Sequence, residues 1–186
     1  MNEELPQLIN DLRAVAADAR TSFGTLTPAQ LNWKPSPTEW SVAQCLDHLI
    51  TSNSGYLPLI KSVISSEHKT SLKERLPLLP RFFGPMVLKV VQPQSQRKLK
   101  AGRNFQPSSS AIDPDIILRF ASQQNELADQ MKLSDKLDLR KIIITSPVAS
   151  FVTYSLLDGY RIIVAHDQRH VAQAKRVTNR DSFPTS

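Results

Sequence analysis

A chain of 186 residues with 40% hydrophobic and 22% charged residues has the balance of a folded globular protein, which excludes intrinsic disorder and predicts one domain over residues 1–186. A single cysteine, Cys45, excludes a disulfide scaffold and a cysteine-rich zinc site, and five scattered glycines exclude the Gly-rich phosphate loops of nucleotide-binding proteins. The formal charge of +6 is concentrated, because residues 72–104 hold eight basic side chains against Glu74 alone. That segment reads as a solvated connection or as a site for an anionic ligand or an acidic partner. It carries no helix-turn-helix, zinc-finger or RNP-like signature, so nucleic acid is not an expected partner. No window approaches about 18 consecutive apolar residues and the first residues lack a signal-peptide pattern, which predicts a cytoplasmic protein with no membrane partner.

In chain order, Leu5, Leu8, Ile9, Leu12, Val15, Ala16, Ala19 and Phe23 recur at spacings of three and four, predicting an amphipathic helix over residues 3–22. Three prolines between residues 28 and 40 then favour an ordered, turn-rich connection whose Trp33 and Trp40 cover one end of the core. Ser41 and Gln44 fit a capping box, so a second helix is expected over residues 41–64, with Cys45, His48, Leu49, Ser52 and Tyr56 facing inward. Residues 69–110 are rich in Pro, Ser and basic side chains around a short apolar patch, the pattern of a long crossover with one short helix. Asp113 and Pro114 supply a cap and a first-turn proline for a third helix over residues 113–134. Ser146 and Pro147 repeat that start for a fourth, over residues 146–177. The inward stripe of this last helix reads Val152, Leu156, Gly159, Ile163, His166, His170, Gln173 and Val177, the seam of a bundle helix. The β-branched run at residues 142–145 is too short on its own to indicate a sheet.

His166 and His170 stand at i and i+4, so both imidazoles leave one helix face about a turn apart, a spacing that lets two rings share one metal ion. A third ligand must come from another helix, and His48 is the natural candidate because it sits in the middle of an inward face. His68 lies in a polar stretch and reads as solvated. Asp167 follows the first histidine where a His-Glu-x-x-His protease needs glutamate, so that chemistry is not supported. The competing reading of each seam histidine is a hydrogen-bonded core residue. Two side by side argue against it, since buried imidazoles without partners are costly. Cys45 reads as a small buried hydrophobe, Tyr56 as a packing residue in preference to a proton donor, and Gln173 either as a group orienting a bound ligand or as a plain seam residue.

The block Trp40-Ser41-Val42-Ala43-Gln44-Cys45-Leu46-Asp47-His48-Leu49, followed downstream by His166-Asp167-Gln168-Arg169-His170-Val171-Ala172-Gln173, resembles the DinB/YfiT-like superfamily of proteins classed as metalloenzymes. Residues 28–40 and 98–107 are similar to it as well. The resemblance implies an all-α fold, a four-helix bundle of an up-and-down variant with a long connection between helices two and three. It also implies a divalent metal held by His48, His166 and His170, and activities that include transfer of low-molecular-weight thiols, although many members have no known reaction.

Three neutral imidazoles leave the charge of a divalent ion uncompensated and a coordination position open, which makes hydroxide or thiolate available near neutral pH. The leading expectation is therefore a metal-dependent transferase using a small thiol, or a hydrolase, acting on a small-molecule substrate. Zn or Ni suits the imidazole set best, with Fe or Mn as further candidates. A non-catalytic bundle that binds metal or ligand in a stress response is the alternative. A homodimer is expected from the habit of such bundles.

Overall fold

The computed structural model describes residues 2–76, 78–95, 102, 105–107 and 111–185. The three-and-four spacing yields helix α1 (Leu5–Phe23), which buries Leu5, Ile9, Leu12, Val15, Ala16, Ala19 and Phe23 along one stripe. The proline-rich connection is ordered: Thr27 and Gln30 cap the short helix α2 (Pro28–Asn32) reciprocally, and Trp33 meets the Phe183 ring edge-on at 5.5 Å. Ser41 then opens α3 (Val42–Ser54) through the expected capping box. Gln44 N donates to Ser41 Oγ at 3.1 Å and Ser41 N donates to Gln44 Oε1 at 3.2 Å, a cap worth about 1 kcal/mol.

The one helix expected over residues 41–64 is two, because the chain breaks at Gly55 before α4 (Tyr56–Ile64). A Cβ on Gly55 would stand 2.6 Å from Pro147 Cβ, so the bare backbone is what lets the break seat against a rigid ring. The crossover carries α5 (Leu78–Val91), and α6 (Ile116–Leu133) follows, starting slightly later than its Asp-Pro signal indicates.

The fourth expected helix departs most from its sequence signal. Ser146 and Pro147 do not open it. Strands β1 (Ile143–Ser146) and β2 (Ala149–Ser155) pair antiparallel across a turn at Pro147 and Val148, and α7 (Leu156–Thr178) begins only after them. The β-branched run at residues 142–145, too short by itself to indicate a sheet, contributes the first strand, and Val152 lies on the second instead of on a helical seam. Cross-strand pairing of Ile144 with Tyr154 buries both side chains, a gain that a helix through this segment would forfeit. Ser155 supplies the real cap, accepting from Asp158 N at 3.0 Å.

Two apolar clusters run through the bundle. One takes Leu5 to Leu12 of α1, Tyr56 to Val63 of α4, Leu127 to Met131 of α6 and Leu156 to Val164 of α7. The other takes Val15 to Phe23 of α1, Val42 to Leu49 of α3, Ile116 to Phe120 of α6 and Val171 to Val177 of α7. Followed along the chain, α1 and α7 run from the first cluster to the second, whereas α3 with α4, and α6, run back. The helices are thus up, down, down and up, with α1 and α3 each packed on both α6 and α7. Two successive downward helices require the chain to return to the starting end, which is the physical reason for the long crossover between them.

That crossover is pinned by a buried carboxylate. Glu74 accepts from Ser71 N at 2.7 Å, Thr145 N at 2.7 Å and Thr145 Oγ1 at 2.8 Å, which ties it to β1. Burial pushes the Glu74 pKa up, but these hydrogen bonds outweigh it and hold the group below its ordinary 4.5. His68, expected in solvent, is half-buried with Nε2 3.3 Å from Glu74 Oε2, because this carboxylate draws the polar stretch against the hairpin. The basic residues Arg97, Lys98, Lys100 and Arg103 lie outside the described residues. Among the described residues no helix is long and apolar enough to cross a membrane.

Replacing Glu74 with Ala should cost about 1 to 3 kcal/mol, since it removes three hydrogen bonds from part-buried donors on Ser71 and Thr145; denaturant titration measures the loss, and a change under about 0.5 kcal/mol would contradict this role. Gly55→Ala should cost about 1 to 3 kcal/mol by the same measurement, because neither Pro147 nor the helix end can yield freely.

Candidate metal centre

The level at which the two apolar clusters meet is polar on three of the four sides. Between its two apolar stretches α3 carries Ser52 and Asn53, α6 carries Gln124, and α7 carries His166, Asp167 and His170; α1 passes the same level with the small Ala16. His48, one turn before Ser52, is turned into this layer from α3.

The three seam histidines converge. One ring nitrogen from each of His48, His166 and His170 lies within 4.8 Å of the other two, with His48 Nε2 3.3 Å from His166 Nε2. That pair is at hydrogen-bond distance, and because nitrogens bound at about 2.1 Å to a tetrahedral ion stand about 3.4 Å apart, the same spacing suits a shared cation. The ring centroids are 4.6 to 5.2 Å apart, and the Trp40 indole closes one side, 4.9 Å from the His48 ring and stacked on His170 at 5.8 Å. His48 Nδ1 donates to the Phe105 carbonyl at 2.5 Å, which fixes the tautomer and leaves Nε2 as a lone pair facing the cluster. His170 Nδ1 is buried without a hydrogen-bond partner among the described residues.

Electrostatics keeps these rings unprotonated. Burial first, then the neighbouring His48 and Arg169, push the His166 pKa down to about 3. Burial, followed by His166, His48 and Arg169, holds His170 well below the ordinary 6.5 against a smaller upward pull from the Gln173 side chain. Burial also lowers His48, opposed by its bond to Phe105 and by Asp47. Three neutral imidazoles, an orphaned buried nitrogen and one pair already at ion-sharing distance fit a divalent cation.

The other residues singled out from the sequence sort as follows. Cys45 is buried, and burial pushes its thiol up to about 12, so it packs and is neither ligand nor nucleophile. Tyr56 packs as well, its hydroxyl bonded to that of Tyr154 at 2.5 Å. Gln173 lies one turn beyond His170 and interacts with it. Asp167 points away from the cluster into the polar layer, fully buried, where Asn53 Nδ2 donates to Oδ1 at 2.9 Å and Oδ2 at 3.1 Å. Sequence reasoning missed this pair, and a residue adjacent to His166 is by helical geometry about 100° round the helix axis, which is the available signal. It also missed Arg169, whose Nη1 donates to the Val90 and Gln92 carbonyls at 2.8 and 3.2 Å and so ties the end of α5 to the helix of the histidines.

These features define a helical bundle with a histidine cluster set across two antiparallel helices. The DinB superfamily model matches residues 11–174, and the chain belongs to that superfamily. YfiT from Bacillus subtilis, described as a probable metal-dependent hydrolase with an unusual four-helix bundle topology, has a similar fold: TM-score 0.59 at 14% identity, covering 99% of this chain and 91% of that one. A search of curated proteins finds no match.

A histidine held neutral in the fold but protonated when unfolded takes up more protons in the unfolded state between the two pKa values. The contribution is therefore intact above pH about 6.5 and is lost as pH falls toward the His166 value of about 3. Metal-free protein should lose thermal stability steadily below pH about 6.5, and His166→Gln should flatten that slope; an unchanged slope in scanning calorimetry would contradict it.

Proposed function

We propose that the chain is a metal-dependent enzyme in which His48, His166 and His170 bind one divalent ion, zinc or nickel by preference, and which acts on a small molecule by activating water or a thiol. The observation that carries this reading is the convergence of three neutral ring nitrogens within 4.8 Å, from the buried His48 and the half-buried His166 and His170, on a superfamily fold shared with a protein described as a probable metal-dependent hydrolase. Bound there, such an ion would supply Lewis-acid activation of a protic nucleophile.

The chain's own residues supply the rest. The Phe105 carbonyl orients His48 through Nδ1, so its Nε2 points at the cluster with no proton to lose. Depressed pKa values keep all three rings competent as ligands through the neutral range. Trp40 shields one side of the cluster from water. No acidic side chain joins the group of candidate ligands among the described residues, so the positive charge of an ion there stays uncompensated and strengthens its pull on a nucleophile. Low-molecular-weight-thiol transfer and hydrolysis are two outcomes of that one activation, differing only in which protic nucleophile enters.

Purified protein should carry about one zinc or nickel ion per chain by elemental analysis, and His48→Ala, His166→Ala and His170→Ala should each weaken metal affinity by more than about 100-fold. Retention of wild-type affinity by any of the three would overturn the ligand set. Metal-loaded protein should then turn over either activated esters and amides, or thiol and electrophile pairs, in a chelator-sensitive manner. Full metal binding with neither activity would instead favour a non-catalytic binding bundle.

A further inference from the structure

The crossover helix α5 has two faces that differ in kind. Its inner face packs Phe83, Val87, Leu88 and Val91 on the core, while Leu78, Phe82 and Met86, at successive spacings of four, point outward, with Leu78 and Phe82 exposed to 74% and 64%. The adjoining elements continue the apolar surface. Leu72 and Leu76 are exposed in the turn before α5, and Val148 and Phe151 on the hairpin, where the Phe83 ring bridges to Phe151 at 6.4 Å and Lys73 Nζ reaches the Ser150 carbonyl at 2.9 Å. Seven of the nine large apolar side chains exposed among the described residues fall in these touching elements, so the surface is a patch and not scatter.

Charge says what covers it. Lys69, Lys73, Arg75, Arg81 and Lys89 are all exposed within the same stretch, and none is in an ion pair among the described residues. The single acid between residues 69 and 112, Glu74, is buried and committed to Ser71 and Thr145. A second copy placed on this face about a two-fold axis would set cations against cations. Nucleic acid offers the anions but no medium for exposed leucine and phenylalanine. An anionic lipid surface offers both: acidic headgroups for the lysines and arginines, and acyl chains for Leu78, Phe82 and Met86.

We propose that this face, formed by the outer side of α5, the turn at residues 71–76 and the hairpin tip, docks the protein on an anionic membrane surface. The sequence expectation of no membrane partner rests on the lack of a spanning segment, which docking on the surface does not need. The docking helix is held to the histidine-bearing helix by Arg169, so the cluster keeps a fixed orientation to the bilayer. The proposal does not depend on metal binding or turnover.

The test is flotation of the full chain with vesicles of phosphatidylcholine alone and of phosphatidylcholine with phosphatidylglycerol. The wild type should float with the anionic vesicles only, and raised salt should release it. Phe82→Ser/Met86→Ser and Arg81→Glu/Lys89→Glu should each lower partition by at least about 10-fold while leaving the circular dichroism spectrum and melting temperature unchanged. Phe82→Trp serves as a second readout, its emission shifting to the blue on anionic vesicles and not on neutral ones. Absence of flotation, equal flotation with neutral vesicles, or loss in the charge variant but not in the apolar one would overturn the proposal. So would a wild-type dimer that the apolar variant converts to monomer, or tight binding of duplex DNA or RNA that the charge variant abolishes.

Discussion

The arrangement depends on one constraint: a bundle with two apolar clusters must cross a polar layer between them, and every polar atom in that layer needs a partner. Asn53 and Asp167 satisfy each other by two hydrogen bonds. His48 has the Phe105 carbonyl. His48 Nε2 and His166 Nε2 are at hydrogen-bond distance, 3.3 Å, while His170 Nδ1 and both polar atoms of the Gln124 amide are buried without partners among the described residues. Each unsatisfied buried polar group costs on the order of 1 to 3 kcal/mol. A cation shared by the three rings would offset that cost at the histidines, which is why the same feature is a defect for folding and a resource for chemistry.

Helix direction makes that layer available. Because α3 runs down and α7 runs up on adjacent sides of the bundle, one histidine from the former reaches the level of two from the latter. Two consecutive downward helices then oblige a crossover, and the chain uses it three ways. Glu74 anchors its start to the hairpin, α5 covers one flank of the core, and Phe105 near its end orients His48. A length of chain that looks like mere connection in sequence thus carries part of the site's support.

Much of this was legible from residue spacing. The stripe of α1, the Ser41–Gln44 capping box, the i and i+4 histidine pair and the inward placement of His48 are local or helical-period features, and the structure keeps all of them. The failures are equally instructive. Ser146 and Pro147 carry a good helix-start signal, yet they form a hairpin turn because Ile144 and Tyr154 gain more by pairing across it. Residues 41–64 read as unbroken because nothing nearby announces that Gly55 must meet a proline some ninety residues downstream.

Periodicity, caps and ligand spacing depend on neighbours within a turn or two, and from them the chain alone establishes a helical protein with two histidines on one helix face and a third on another. The meeting of those histidines, the carbonyl that selects the tautomer of His48, the burial that keeps His166 neutral and the exposure of the outer face of α5 all depend on groups distant in sequence. Their relative positions follow from packing two clusters in an up, down, down, up order, and no local pattern encodes that order.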